Sequence, residues 1–312
     1  YRVIVAGSLD ALEYGYCRSI SDPYEIIVTR IPEIKFGGTN AICEGGQINL
    51  SITPTSPTPG TWTIDSEWQD NDQNMTPPFN ASIINTASGY QIHGAVHDSI
   101  VVKYTTSPEN GGCYNTKTIP IYPLPNITIT PATTTICEGR DITLHPSSNQ
   151  VSSFQWDGGQ SCSGTDWASD NTCADWLVSP ITTTTYTLTV TTPHNILDED
   201  GNDYVLNCVS DTNKVVTVLP MPTGLSVAGI PATPICPGTS VTLTPSATGS
   251  GTGTLYYSWD GTTYVEAGDD GFTLTVTPDV TVSDTLYVKE VRTVGGVEYD
   301  CDPAQLPVTI NV

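Results

Sequence analysis

The residues best placed to do chemistry in this 312-residue chain are its nine cysteines, because they recur at intervals. Cys43, Cys137 and Cys236 lie 94 and 99 residues apart. Cys113, Cys208 and Cys301 lie 95 and 93 residues apart. Cys17 precedes Cys113 by 96 residues, one further period. No CxxC occurs and only four histidines accompany the set, which argues against zinc. Disulfides in an oxidising compartment are the better reading. Cys162 and Cys173, 11 residues apart amid Gly, Ser and Asp, are predicted to staple a loop. Trp167 and Trp176 belong to the same stretch. They make it a candidate binding edge for a glycan, against the plainer role of structural stapling.

Other constellations are weaker. Asp198-Glu199-Asp200-Gly201-Asn202-Asp203 sets carboxylates around a glycine. Asp198, Asp200 and Asp203 are candidate Ca²⁺ ligands, since calcium takes several oxygens on a bendable loop. The pattern departs from an EF-hand, and an acidic hairpin tip is the plainer reading. His93 and His97 have the spacing of a zinc helix, but Gly94 and the strand-like flanks break the motif. There is no GxSxG and no phosphate-binding glycine loop, and no carboxylate pair stands out. Repeats that are alike also argue against a unique active site. No catalytic residue is assigned and the chain reads as a non-enzyme. Leu219-Pro220-Met221-Pro222-Thr223-Gly224 is one residue too long for a sortase signal and lacks a following membrane helix.

The elements that position these residues are repeats. Ile42-Cys43-Glu44-Gly45, Ile136-Cys137-Glu138-Gly139 and Ile235-Cys236-Pro237-Gly238 each run through a glycine turn into a strand alternating with period two. Trp62, Trp156 and Trp259 follow 19, 19 and 23 residues after those cysteines. Further strands lead to the second cysteine and then to a closing β segment. Proline pairs such as Pro123-Leu124-Pro125 and Pro220-Met221-Pro222 mark short, stiff connectors. Tyr1-Arg2-Val3-Ile4-Val5 reads as a strand, not a secretory signal, and residues 1–31 match only the tail of a repeat. The parent protein is therefore expected to extend upstream.

The predicted fold is all-β: tandem immunoglobulin-like β-sandwiches in an extended rod. The segments are 1–31 (the C-terminal part of an incomplete repeat), 32–122, 123–219 with the stapled loop, and 220–312. Leu50 with Val102, Leu144 with Leu188, and Leu243 with Val288 are expected to face each other in aliphatic cores. Two pairing schemes stay open. Bonds within each repeat would join Cys43 to Cys113, Cys137 to Cys208 and Cys236 to Cys301. In a standard sandwich, however, those partners lie at opposite poles, farther apart than a disulfide reaches. Bonds between neighbours would join Cys43 to Cys208 and Cys137 to Cys301.

Composition sets outer limits. Ten Lys+Arg against 33 Asp+Glu give a net charge of −23, which repels nucleic acid and anionic membranes. No apolar run approaches the roughly 18 residues of a membrane helix, so no membrane insertion is expected. Abundant Thr, Ser, Gly and Pro suit extracellular β-structure with many turns.

The recurring pattern, from the Ile-Cys-x-Gly turn through Trp and Tyr186-Thr187-Leu188-Thr189-Val190 to a second cysteine and a proline pair, resembles the immunoglobulin-like repeats of Bacteroidota surface proteins. Those repeats accompany type IX secretion, as in SprB-like gliding-motility adhesins. The resemblance covers nearly the whole chain. It implies export to the outer-membrane exterior, a stalk of repeats and adhesion to an extracellular surface or glycan. It also implies O-glycosylation at Asp-Ser/Thr-apolar sites. Asp98-Ser99-Ile100 and Asp284-Thr285-Leu286 match, making Ser99 and Thr285 the candidates for a glycoprotein modification. The expected function is a non-catalytic stalk or adhesive segment whose partners are other repeats of the same chain. The alternatives are a glycan-binding module, or spacer repeats of a large secreted enzyme.

Overall fold

The computed structural model describes residues 4–6, 18–20, 31–53, 60–69, 73–74, 80–94, 98–108, 111–150, 152–164, 166, 170 and 172–312. They form tandem immunoglobulin-like sandwiches. In the first, Glu33–Phe36, Gln47–Thr53, Gly89–His93 and Ser82–Thr86 make a four-stranded sheet in that spatial order. The facing sheet runs Ile42–Cys43, Tyr114–Tyr122, Ser99–Thr106, Gly60–Gln69, Gln73–Asn74. This is the ABED-on-GFC arrangement of the immunoglobulin fold. Period two drives it: Ile100, Val102, Tyr104 and Thr106 of Ser99–Thr106 are all buried, and the residues between them are not.

The second and third sandwiches repeat the plan. Ile127–Thr130, Ile142–Ser148 and Trp176–Val178 pack over a sheet that includes Thr184–Leu197 and Asp203–Leu219. Thr223–Ala228, Val241–Thr248 and Leu274–Val276 pack over a sheet built on Thr254–Ser258, Val282–Val294 and Ala304–Ile310. In the segment 1–31, Ile4–Ala6 pairs antiparallel with Arg18–Ile20; Cys17 lies outside the described residues. Among the described residues no helix is long and apolar enough to cross a membrane.

Packing divides the chain into two compact units. One holds Tyr1–Leu124 with Pro193–Cys208; the other holds Pro125–Thr192 with Val209–Val312. The outer part of the long hairpin Thr184–Leu197/Asp203–Leu219 thus belongs with the first sandwich, although its sequence lies within the second repeat.

Leu144 and Leu188 are fully buried in one core, and Leu50 and Val102 share another. Leu243 and Val288 fall into two separate clusters, bridged by the partly buried Val227, Trp259 and Leu306. The three tryptophans, regular in sequence, are not equivalent in register. Trp156 lies opposite Leu188. Opposite Val102 stands Ile64, two residues beyond Trp62, and opposite Val288 stands Tyr257, two residues before Trp259. A slip of two residues keeps the same face of a strand, so each indole still reaches its core.

Candidate functional site: disulfide-linked joints

Each Ile-Cys-x-Gly turn is fixed to the end of its own repeat's last strand. Ile42 and Cys43 pair parallel with Ile121 and Tyr122, and Glu44 N–H donates to the Tyr122 carbonyl at 2.8 Å. Ile136 and Cys137 pair likewise with Val218 and Leu219. In the third repeat Ile235 N–H donates to the Asn311 carbonyl at 2.9 Å. The isoleucines of the first two turns are buried, which leaves their cysteines half-buried at the rim. The glycine that closes each turn has positive φ: 71° at Gly45, 82° at Gly139 and 76° at Gly238.

The second cysteine of each repeat sits at or near the start of that last strand. Cys113 precedes Tyr114–Tyr122, nine residues whose far end carries Cys43's pairing partner. At about 3.3 Å per residue that is roughly 30 Å, several times the Cα separation a disulfide allows. The bonds observed are Cys43–Cys208 and Cys137–Cys301, each with Cα atoms 5.4 Å apart and with sequence separations of 165 and 164. The within-repeat scheme is therefore absent. Among the described residues Cys113 and Cys236 are free thiols, the first half-buried and the second exposed.

In the first unit, the tip of the long hairpin locks onto the first sandwich beside Cys43–Cys208. Glu199 accepts two bonds from Lys117 Nζ, at 2.6 and 2.9 Å, and a third from Phe36 N–H at 3.0 Å. The Lys117 ammonium lies 4.3 Å from the Phe36 ring centroid. Asn40 Nδ2 donates to the Asp198 carbonyl at 2.7 Å, and the His194 ring stacks on Tyr122 at 4.3 Å. Burial pushes the His194 pKa down. The side chain and backbone of Asn202, with the backbone of Asp200, hold the Asp198 carboxyl below the usual range. Its Oδ1 receives Asp200 N–H at 2.9 Å and Asn202 N–H at 2.8 Å. The acidic run thus closes a turn and grips a lysine. Asp198, Asp200 and Asp203 do not converge on a common point: among the described residues no cluster of three or more potential ligands could hold a metal ion.

In the second unit, Cys137–Cys301 is flanked by Arg140, whose Nη2 lies 2.7 Å from Asp302 Oδ2. Both side chains are exposed, so this pair contributes little. Glu138 accepts Met221 N–H at 2.9 Å, tying the turn to the proline linker. On the other side of that linker Arg292 Nη2 donates to the Pro220 carbonyl. Arg292 is itself held by buried Glu290 at 2.7 Å.

Sequence reasoning missed the Glu290–Arg292 pair, although Leu286, Val288, Glu290 and Arg292 share one face of a period-two strand. That continuation of a core face was the available signal. Cys162–Cys173 does close its loop, with Cα atoms 5.6 Å apart. It packs into the core, however, because Cys162 is buried in the same cluster as Trp156. Trp176 is not an exposed platform. It is half-buried, packing on Trp156 at 5.6 Å and edge-on to Tyr186 at 5.1 Å. Trp167 lies outside the described residues, as does His97; His93 is in strand Gly89–His93, bonded to Gln91. Ser99 and Thr285 are half-buried and share one feature: each stands opposite a proline of the last strand, Pro120 and Pro307.

No protein-family model matches the chain, and no curated protein matches it. Several solved structures are similar at low identity. The N-terminal eight immunoglobulin domains of Down syndrome cell adhesion molecule align with 91% of this chain at 14% identity and TM-score 0.32. The chain spans 42% of that fragment. Three N-terminal domains of the bacteriophage RB49 outer capsid protein Hoc align over 90% of this chain and 99% of their own at 14% identity and TM-score 0.33. A marsupial T cell receptor aligns over 89% and 99% at 12% identity and TM-score 0.31.

Proposed function

We propose that this chain is a non-catalytic, load-bearing stalk segment of a cell-surface adhesin. The observation that carries the reading is the pairing of Cys43 with Cys208 and of Cys137 with Cys301. Each bond ties the last-strand end of one repeat to the last-strand start of the next. Such bonds form in an oxidising compartment, which supports a location outside the cytoplasm. Repeats held this way resist being pulled open, a property an adhesive stalk needs and a soluble catalyst does not. The motif resemblance supports the finer reading: export by type IX secretion to the outer-membrane exterior, service in gliding motility, and glycosylation at Ser99 and Thr285.

Single-molecule stretching from the two chain ends tests it. With the bonds intact, only the end segments before Cys43 and after Cys301 and the span between Cys137 and Cys208 are expected to lengthen on unfolding. After reduction all three repeats are expected to lengthen. Identical extension in the two states would remove the load-bearing role.

A further inference from the structure

We infer that Cys236 and Cys113 are the two unmated halves of a third joint, and that each takes the complementary cysteine of another repeat of this kind. The inference rests on the geometry of the two formed joints, and it holds whether or not the stalk reading does. In both formed joints the donor is the cysteine of an Ile-Cys-x-Gly turn pinned to the end of a last strand. In both, the acceptor is a cysteine at or near the start of a last strand, Cys208 or Cys301. Cys236 has the donor's surroundings. It lies in the same turn, with Ile235 bonded to Asn311, Gly238 N–H donating to the Pro278 carbonyl at 3.1 Å, and its thiol exposed. Cys113 has the acceptor's surroundings, directly ahead of Tyr114–Tyr122, with its carbonyl held by Thr106 N–H at 2.8 Å.

An apolar groove of about 420 Å³ opens beside the Cys236 turn, lined by Leu243, Val276, Pro278, Val282 and Ile310. It shares Pro278 with that turn. The donor end of the third sandwich thus presents its thiol beside a gap at the rim of its own core, where Leu243, Pro278 and Ile310 are buried and Val276 and Val282 half-buried. A second copy of this chain supplies the required partner, because its Cys113 is a free acceptor. The contact is head to tail, so each copy added again presents one free Cys236 and one free Cys113.

The chemistry needs an oxidant, and a small-molecule disulfide suffices. The Cys236 thiolate attacks it, giving a mixed disulfide and one released thiol. The Cys113 thiolate then attacks the Cys236 sulfur and expels the second thiol. Two protein thiols become one disulfide, the reagent is reduced to two thiols, and the two protons pass to them.

The test uses the full chain carrying Cys17→Ser, concentrated with oxidised glutathione and analysed by non-reducing electrophoresis and peptide mapping. The expected result is a ladder of multimers joined by Cys113–Cys236 peptides. Adding Cys113→Ser or Cys236→Ser alone should leave monomers. Mixing those two variants should give dimers and nothing larger. Mapping of Cys43–Cys208 and Cys137–Cys301 in each variant shows that it has folded. Symmetric Cys236–Cys236 dimers, multimers that survive Cys113→Ser, or thiols that take up only glutathione would each overturn the inference.

Discussion

Glu290 is almost wholly buried, and a carboxylate there is tolerated because its oxygens are occupied. Burial alone pushes its pKa up. Bonds from Ser250 and the Arg292 guanidinium outweigh that and hold it below the ordinary range. Removing the arginine leaves the charge unmatched, so Arg292→Leu should cost roughly 3–5 kcal/mol in urea unfolding. Glu290→Gln on top of it should recover part of the loss, because a neutral amide oxygen still accepts from Ser250 and Gly253. His194 makes a separate prediction about pH. Its folded pKa lies below the unfolded value of about 6.5, so the unfolded chain binds more protons as acid is added. Stability at the hairpin tip is then full above that value and falls as pH drops through the folded pKa. Amide exchange around Tyr122 should quicken over that window in the wild type, and His194→Phe should flatten the response. The sequence showed such groups only in part: the face shared by Leu286, Val288, Glu290 and Arg292 could be read, but their partners come from loops distant in sequence.

At the scale of elements, alternation in Ser99–Thr106 and Tyr186-Thr187-Leu188-Thr189-Val190 made the strands readable, because burial on one face is a local pattern. The path of Thr184–Leu197 and Asp203–Leu219 was not readable. Nothing local says that a hairpin continues past its own sandwich, or that Glu199 will find Lys117. The tryptophan spacing does not reveal the two-residue difference in register at Trp62 and Trp259, since a period-two slip preserves the buried face and leaves no mark in composition. Cys162–Cys173 shows the same limit: the sequence places a staple on a loop, whereas the structure seats Cys162 against the core. Replacing both cysteines with alanine should therefore cost about 3 kcal/mol from the loop alone by chain entropy, plus the lost packing against Trp156. A thermal or urea midpoint unchanged from the wild type would show that the staple is idle.

At the scale of the molecule, the sequence left two pairing schemes standing, because cysteine spacing is the same for both. The parallel pairing of the Ile42-Cys43 and Ile136-Cys137 turns with the ends of last strands separates them. The bonds that result overlap: Cys43–Cys208 and Cys137–Cys301 share the span from Cys137 to Cys208. Overlap changes what a protease can do. One backbone cut anywhere between Cys43 and Cys301 leaves the two pieces joined by at least one bridge. Two cuts also fail, provided that they fall in different spans among the three that these cysteines delimit. Exposed loops are where proteases nick, so nicked molecules should run at full mass without reductant and fall into fragments with it. Separation of wild-type fragments after a single cut, without reductant, would contradict this. The covalent graph of this protein is a braid, not a line, and damage that severs an ordinary tether leaves it whole.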